Sequence, residues 1–298
     1  MISFVFFGTP QLSADILEHL KRHGLVPALV VTNPDRPQGR NMRLTPPPVK
    51  VWAIANNIPV LQPEILSQDS RPNAAGEQAR FKIQEYRPEL FVVVAYGSIL
   101  PKEVLDIPKR GSLNIHYSLL PKYRGASPIE SAILNDDKDT GVSVLLLDEE
   151  MDHGPIVANA KLKMENGKLE WPPKASELRA LANEVGAELL TETIPLWVAG
   201  KISAKEQEHT KATYTRKFNK VDGEINLAAG PYQNFLKIQA LECSIGTYFF
   251  VEKDSKKIRV NIKAAEYRNG KLIIRRVVPE GRKEMGYEEF LRGIRGRS

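Results

Sequence analysis

Cysteine is almost absent from this sequence: Cys243 stands alone among 298 residues. A lone thiol forms no internal disulfide and no Cys-based zinc site, so a cytoplasmic location is the simplest expectation. No histidine or basic residue adjoins Cys243, and nothing marks it as an activated thiol. Long apolar runs are missing as well; none approaches the roughly 20 residues needed to span a bilayer. The opening MISFVFFGTPQL is apolar, but it has no basic stretch and no small-residue cleavage site, and it reads as a first strand rather than a leader. Several catalytic signatures are also missing. There is no G-x-S-x-G elbow and no Walker loop, and Gly8-Thr9-Pro10 stands where a dinucleotide-binding G-x-G-x-x-G would follow the first strand. Histidines and carboxylates lack metal-ligand spacing. Nicotinamide, nucleoside triphosphate and zinc chemistry all lose ground.

What is present fits a globular protein with a substantial core. Hydrophobic residues make up 42% of the chain and charged residues 26%. The length is about twice that of a common domain, so two domains are expected. The net charge of +6 is unevenly spread. Residues 204–298 hold 20 Lys/Arg against 12 Asp/Glu, while residues 1–203 hold 22 against 24. An acidic first part joined to a basic last part suits a C-terminal piece that meets a polyanion. A solvated basic surface is the alternative, and charge alone does not separate the two.

The first 160 residues alternate between strand and helix patterns. ISFVFFG, VPALVVTN, IPVLQP, ELFVVVAYG, SLNIHY and GVSVLLLD read as strands, and ELFVVVAYG, the most apolar, belongs at the centre. QLSADILEHLKRHG, VKVWAIANN and AAGEQARFKIQEY have helical character, and residues 34–50 read as a long loop rich in Pro and Arg. PIVANAKLKM suits an edge strand. This rhythm predicts an α/β fold with a doubly wound, mostly parallel sheet, whose ligands sit outside the carboxyl ends of the strands. A long helix is expected over 175–200. Short strands then follow, separated by turns such as Arg268-Asn269-Gly270-Lys271, with YEEFLRGIRG as a closing helix. The expected division is a catalytic domain over 1–200, a linker over 201–212 and a smaller β-rich domain over 213–298, a barrel of the OB kind.

The segment Ser112–Pro128, SLNIHYSLLPKYRGASP, carries the chemistry. Leu113, Ile115 and Tyr117 share one face of the strand, and Asn114 and His116 share the other. A polar row inside a covered sheet is costly unless something satisfies it. Facing a cleft, the amide of Asn114 can hold a developing oxyanion, and the imidazole of His116 can move a proton near neutral pH. A wet edge strand would also account for the row. The next strand ends at Asp148 and enters a loop with Glu149, Glu150, Asp152 and His153. There Asp152 precedes the sharp turn Gly154-Pro155. A carboxylate from one strand end beside an imidazole from a neighbour is a recurring acid–base unit. His153, in the turn itself, ranks below His116.

Asn114-Ile115-His116, Ser118-Leu119-Leu120-Pro121 with Arg124-Gly125, and Asp152-x-Gly154 resemble the folate-dependent formyltransferases. FFGTP at 6–10, NPDRPQGR at 33–40, PPPVK at 46–50 and AYGSILP at 95–101 narrow the resemblance to the branch whose acceptor is methionyl initiator tRNA. It covers residues 1–160 clearly and continues more faintly beyond. It implies a formyltransferase-type sheet, 10-formyltetrahydrofolate as formyl donor, an amine acceptor, no metal and no covalent enzyme intermediate. It implies catalytic roles for Asn114, His116 and Asp152. It also implies a folate site lined by Ser118, Leu119, Leu120 and Pro121 and faced by Tyr96, Gly97 and Ile99. Arg36, Arg40, Arg43 and Lys50 in the 34–50 loop would follow the tRNA backbone. Lys256, Lys257, Arg259, Lys263, Arg275 and Arg276 would add contacts from the basic last part. No membrane partner is implied, and a monomer is expected. Glu150 stands where relatives carry glycine. A relative that formylates an amino sugar on a nucleotide carrier would share Asn114, His116 and Asp152 without needing the basic loop. An RNA-binding protein with an inactive formyltransferase fold is a third possibility.

Overall fold

Every residue of β1 (Phe4–Gly8) is buried, as the apolar run demands. The computed structural model describes residues 2–39, 42–64, 66, 74–164, 169–253 and 256–295. After β1 come α1 (Gln11–Arg22), β2 (Leu29–Val31), β3 (Arg36–Gln38), β4 (Arg43–Thr45), α2 (Pro48–Ala55) and β5 (Val60–Leu61). Next are α3 (Ala74–Glu85), β6 (Leu90–Val94), α4 (Lys102–Leu105), β7 (Ser112–His116), β8 (Arg124–Gly125), α5 (Pro128–Leu134), β9 (Gly141–Leu146) and β10 (Ile156–Lys161). The chain continues through α6 (Ala175–Val198), β11 (Tyr214–Thr215), α7 (Pro231–Leu241), β12 (Thr247–Lys253), β13 (Lys256–Arg268), β14 (Lys271–Pro279), β15 (Met285–Gly286) and α8 (Tyr287–Arg295). Chain contacts divide it into two units. The first holds residues 1–124, 141–162 and 182–213; the second holds 125–140, 163–181 and 214–298.

The first unit is built on a seven-stranded sheet in the order β10-β9-β7-β6-β1-β2-β5. The strands from β7 to β5 run parallel. β9 runs antiparallel to β7, and β10 runs antiparallel to β9 at the edge. β6 lies at the centre, all five of its residues buried. One layer of core joins Val5, Phe7, Val31, Phe91 and Val93 of the sheet to Ile83 of α3 and Val104 of α4. Each such side chain contributes about 1.5–3 kcal/mol on leaving water. α1 buries Ile16, Leu17 and Leu20. It stops where Gly24 takes φ +79° while Leu25 N–H donates to the Leu20 carbonyl and Gly24 N–H to that of Lys21, a Schellman ending that favours glycine.

The 34–50 segment is more ordered than its composition suggests. β3 and β4 pair as a hairpin, with Arg36 opposite Thr45 and Gln38 opposite Arg43, and α2 begins at Pro48. Proline at a first helical position gives up no hydrogen bond. No apolar alternation advertises the hairpin, because its register lies in Arg, Pro, Gln and Thr.

In the second unit, β12, β13, β14 and β15 form an antiparallel sheet in that order. Arg268 pairs with Lys271 across the anticipated turn. α7 and α8 pack against this sheet. Ile238 of α7 and Phe290 of α8 meet Phe249, Val260, Ile262, Ile274 and Val277 in one core.

Candidate active site

Alternation along β7 buries Leu113 and Ile115 and leaves Asn114 half-buried. His116, on the same face as Asn114, is buried at 5% exposure. Its Nε2 lies 2.8 Å from the Tyr123 carbonyl. A carbonyl only accepts, so Nε2 carries a proton, and Nδ1 is the nitrogen turned toward Asp152. Nδ1 and Asp152 Oδ2 are 3.4 Å apart. That is longer than an ordinary N–H···O bond. The Asn114 carboxamide makes no hydrogen bond among the described residues. The structure therefore brings together His116 and Asp152, with Asn114 one pleat away.

Asp152 arrives by an indirect path. β9 ends at Leu146, which pairs with Leu113 near the start of β7, whereas His116 sits opposite Ser143. The loop must therefore run back along the sheet to reach the imidazole. It turns at Asp152, which takes φ +50°. The next glycine is a close approach: a Cβ on Gly154 would lie 2.0 Å from the Leu146 carbonyl oxygen. Tyr123, which supplies the carbonyl to His116, also takes a left-handed φ, +59°. Such backbones cost of order 1–3 kcal/mol each, and aspartate tolerates them better than tyrosine does. Both partners of His116 are thus held in unusual conformations by their surroundings. Glu150 takes no left-handed φ; it is exposed, and its N–H donates to Asp148 Oδ1 at 2.9 Å.

The first unit holds a cavity of about 740 Å³, lined among others by Lys102, Leu105, Gly111, Leu147, Asp148 and His153, the residue that follows Asp152. Its size suits a small flat ligand. Ser118 to Pro121 and Tyr96, Gly97 and Ile99, expected to line a folate site, are not in this lining. The Ser118 hydroxyl donates to the Lys122 carbonyl, and Ser143 Oγ donates to the Ser118 carbonyl while accepting from Leu120 N–H. Ser118 and Leu120 are buried, and Leu119 and Pro121 are half-buried. Tyr96 packs edge-on against Phe7, its hydroxyl pushed up to about 12 by burial. The Tyr96 carbonyl accepts from Thr9 and Asn33, which pins the following turn. Gly97 and Ile99 face solvent, Ile99 at 78% exposure.

Of the four cations in the 34–50 segment, Arg36 and Arg43 are exposed on the hairpin. Lys50 forms an ion pair with Asp35 at 2.8 Å, and that bond together with one from Gln62 holds the Asp35 carboxyl below its usual range. Arg40 lies outside the described residues. In the second unit, Lys256 and Lys263 are exposed, Lys257 stands over the Phe250 ring and Arg259 over Tyr248. Arg275 pairs with Glu266, and Arg276 with Glu284. No helix among the described residues is long and apolar enough to cross a membrane.

Comparison with known proteins gives the family. Residues 2–170 match the family described as formyl transferase. A methionyl-tRNA formyltransferase of Dictyoglomus turgidum is 37% identical over 318 aligned positions, which cover 98% of this chain and 96% of that protein. The chain belongs to the methionyl-tRNA formyltransferase family. The structure of a methionyl-tRNA formyltransferase from Clostridium thermocellum shares the fold at TM-score 0.58 and 16% identity, covering 94% of this chain and 99% of that one. An N-formyltransferase from Helicobacter canadensis, solved with folinic acid and dTDP-3-aminofucose, shares it at TM-score 0.60 and 17% identity, over 92% and 95% of the two chains.

For a member of the methionyl-tRNA formyltransferase family, the sequence reading assigned no role to three residues beside the site. Tyr123 binds His116 through its carbonyl. Arg124 is 1% exposed, and its Nε and Nη2 donate to Gln207 Oε1 at 3.1 and 2.7 Å. Gln207 Nε2 in turn lies 2.9, 3.0 and 2.7 Å from the carbonyls of Asp152, His153 and Gly154. Arg124 was visible within the Arg124-Gly125 motif. Nothing local marks Gln207, which lies in the stretch read as a linker.

Proposed function

We propose that the protein transfers a formyl group from 10-formyltetrahydrofolate to the free amine of methionyl initiator tRNA, in the cytoplasm. The observation that carries this reading is the His116 Nδ1–Asp152 Oδ2 contact at 3.4 Å with the Asn114 carboxamide unengaged on the same face. The cavity that reaches His153 supports a flat donor, and relatives alike over nearly their whole length support the acceptor.

The donor supplies the formyl carbon and a nitrogen leaving group. As the acceptor amine bonds to that carbon, the carbonyl electron pair moves onto oxygen. The Asn114 N–H donates to this oxygen, and His116, protonated at Nδ1, adds a second donor. Each such donor is worth about 2.7–4 kcal/mol in the transition state. Asp152 faces the ring and accepts the proton that the attacking amine sheds. A proton returned through the same pair lets the folate nitrogen leave neutral.

The exposed Arg36 and Arg43 of the hairpin would meet tRNA phosphates. The basic face of the second unit would add contacts tolerant of sequence. The test is to mix the protein with 10-formyltetrahydrofolate and charged initiator tRNA and to follow N-formylmethionine. Its formation, together with tRNA affinity that falls steeply with salt and with a slope about one unit shallower in Arg43→Ala, is the expected result. Formylation of a nucleotide-linked amino sugar with the tRNA left untouched would overturn the acceptor. Tight tRNA binding without turnover would overturn the enzyme.

A further inference from the structure

The geometry points to Gln207 as a positioning residue for formyl transfer, one that sets where the Asp152 carboxylate stands against His116 by holding the backbone of residues 152–154. The inference rests on the acid–base role proposed for Asp152.

Three carbonyls in succession, from Asp152 to Gly154, converge on one carboxamide nitrogen. A primary amide has two protons, so at least one is shared, and the three peptide units cannot swing apart without losing a buried bond. Gln207 itself is 5% exposed. Its orientation is fixed from the other side. Arg124 has no acceptor atoms, so its two bonds to Oε1 force the oxygen toward the guanidinium and the nitrogen toward the loop. Arg124 also bonds His209 Nδ1 at 2.9 Å, and the His209 ring stacks on His153 at 4.2 Å. The approach to Gln207 is clamped as well, because Lys205 and Ile156 exchange both backbone bonds at 2.8 Å.

Tyr123 and Arg124 are adjacent in sequence. The peptide that orients His116 is therefore continuous with the guanidinium that orients Gln207, which in turn holds Asp152. Both members of the acid–base pair are registered to one stretch of backbone. The left-handed φ at Asp152 fits this: a conformation so sparsely populated needs bonds on its flanking carbonyls to persist.

Two variants separate the donor role from packing. Gln207→Glu keeps an acceptor for Arg124 but loses the N–H donors and sets an oxygen against three carbonyls. Gln207→Met keeps the bulk and loses both functions. Each is measured at saturating donor and tRNA, alone and combined with Asp152→Asn. The expected result is a fall in kcat of at least about tenfold for both, with KM for both substrates within about twofold. A second expectation is that Gln207→Glu/Asp152→Asn is no more than about twofold slower than Asp152→Asn alone, because the two act through one carboxylate. The proposal is overturned if Gln207→Glu turns over at the wild-type rate, or if the two losses multiply. A slow Asp152→Asn beside a fast Gln207→Glu sinks the positioning role alone. Asp152→Asn at near wild-type speed sinks the acid–base reading and the positioning role with it.

Discussion

Among the described residues of the first unit are the His153–Asp148 and His116–Asp152 pairs, and the shorter is not the one proposed to do the chemistry. His153 Nδ1 and Asp148 Oδ2 approach to 2.7 Å, with side chains 30% and 38% exposed. His116 Nδ1 and Asp152 Oδ2 stand at 3.4 Å, with side chains 6% and 13% exposed. Water screens the first pair, and exposed pairs are worth roughly 0–1 kcal/mol. The second sits where the same charges act over a lower effective dielectric. It also has fixed neighbours on both sides, a carbonyl on the ring and a braced loop behind the carboxylate. Solvent exclusion and restraint, more than a short distance, separate a reactive pair from a surface contact.

The strongest way to break this contrast is Asp152→Ala. Single-turnover formylation should slow by at least about a hundredfold. Asn114→Ala should lose about a hundredfold, through the oxyanion and not through the ring, with the protein's thermal midpoint little changed. Asp148→Asn severs the shorter pair, and kcat should stay within about threefold of wild type, with any change confined to the donor KM because Asp148 lines the cavity. A hundredfold loss there would reverse the ranking of the two pairs. The smallest effect concerns a third contact, Lys50–Asp35. The Asp35 carboxyl is held low by Lys50 and Gln62, so its contribution to stability is present above the unfolded aspartate value of about 3.9 and fades as pH drops through the lower folded value. Thermal melts of wild type and Asp35→Asn should differ by a few degrees at most at pH 6 and converge toward pH 3. A gap that widened on acidification would contradict the sign.

Much of the sheet could be read directly. β1, β6 and β9 are nearly unbroken apolar runs because both faces are covered, and β10 alternates because it lies at an edge. α7 went unread, since its buried face includes Asn234, whose amide donates to the Asn226 carbonyl. At the candidate site, residue type and turn chemistry picked out Asn114, His116 and Asp152, and the structure brings the last two to 3.4 Å of one another. The ranking of His153 below His116 also follows their burial. Gln207 could not be found this way, nor could the bond that ties Arg124 to it. Their bonds join residues 83 positions apart and act on main-chain carbonyls that no side-chain pattern records. Nor could spacing show that Ser118 and Leu120 turn inward onto Ser143, because a buried hydroxyl and a ligand-facing one look alike in sequence.

The carbonyl that accepts the His116 Nε2–H hydrogen bond belongs to the main chain at Tyr123, so no missense change can delete it. Missense variants at that position alter a ring, not the acceptor. An inserted or deleted residue between His116 and Tyr123 would carry the acceptor out of reach. Mutational scans should therefore find this segment forgiving of replacement at 123 and intolerant of any change in its length.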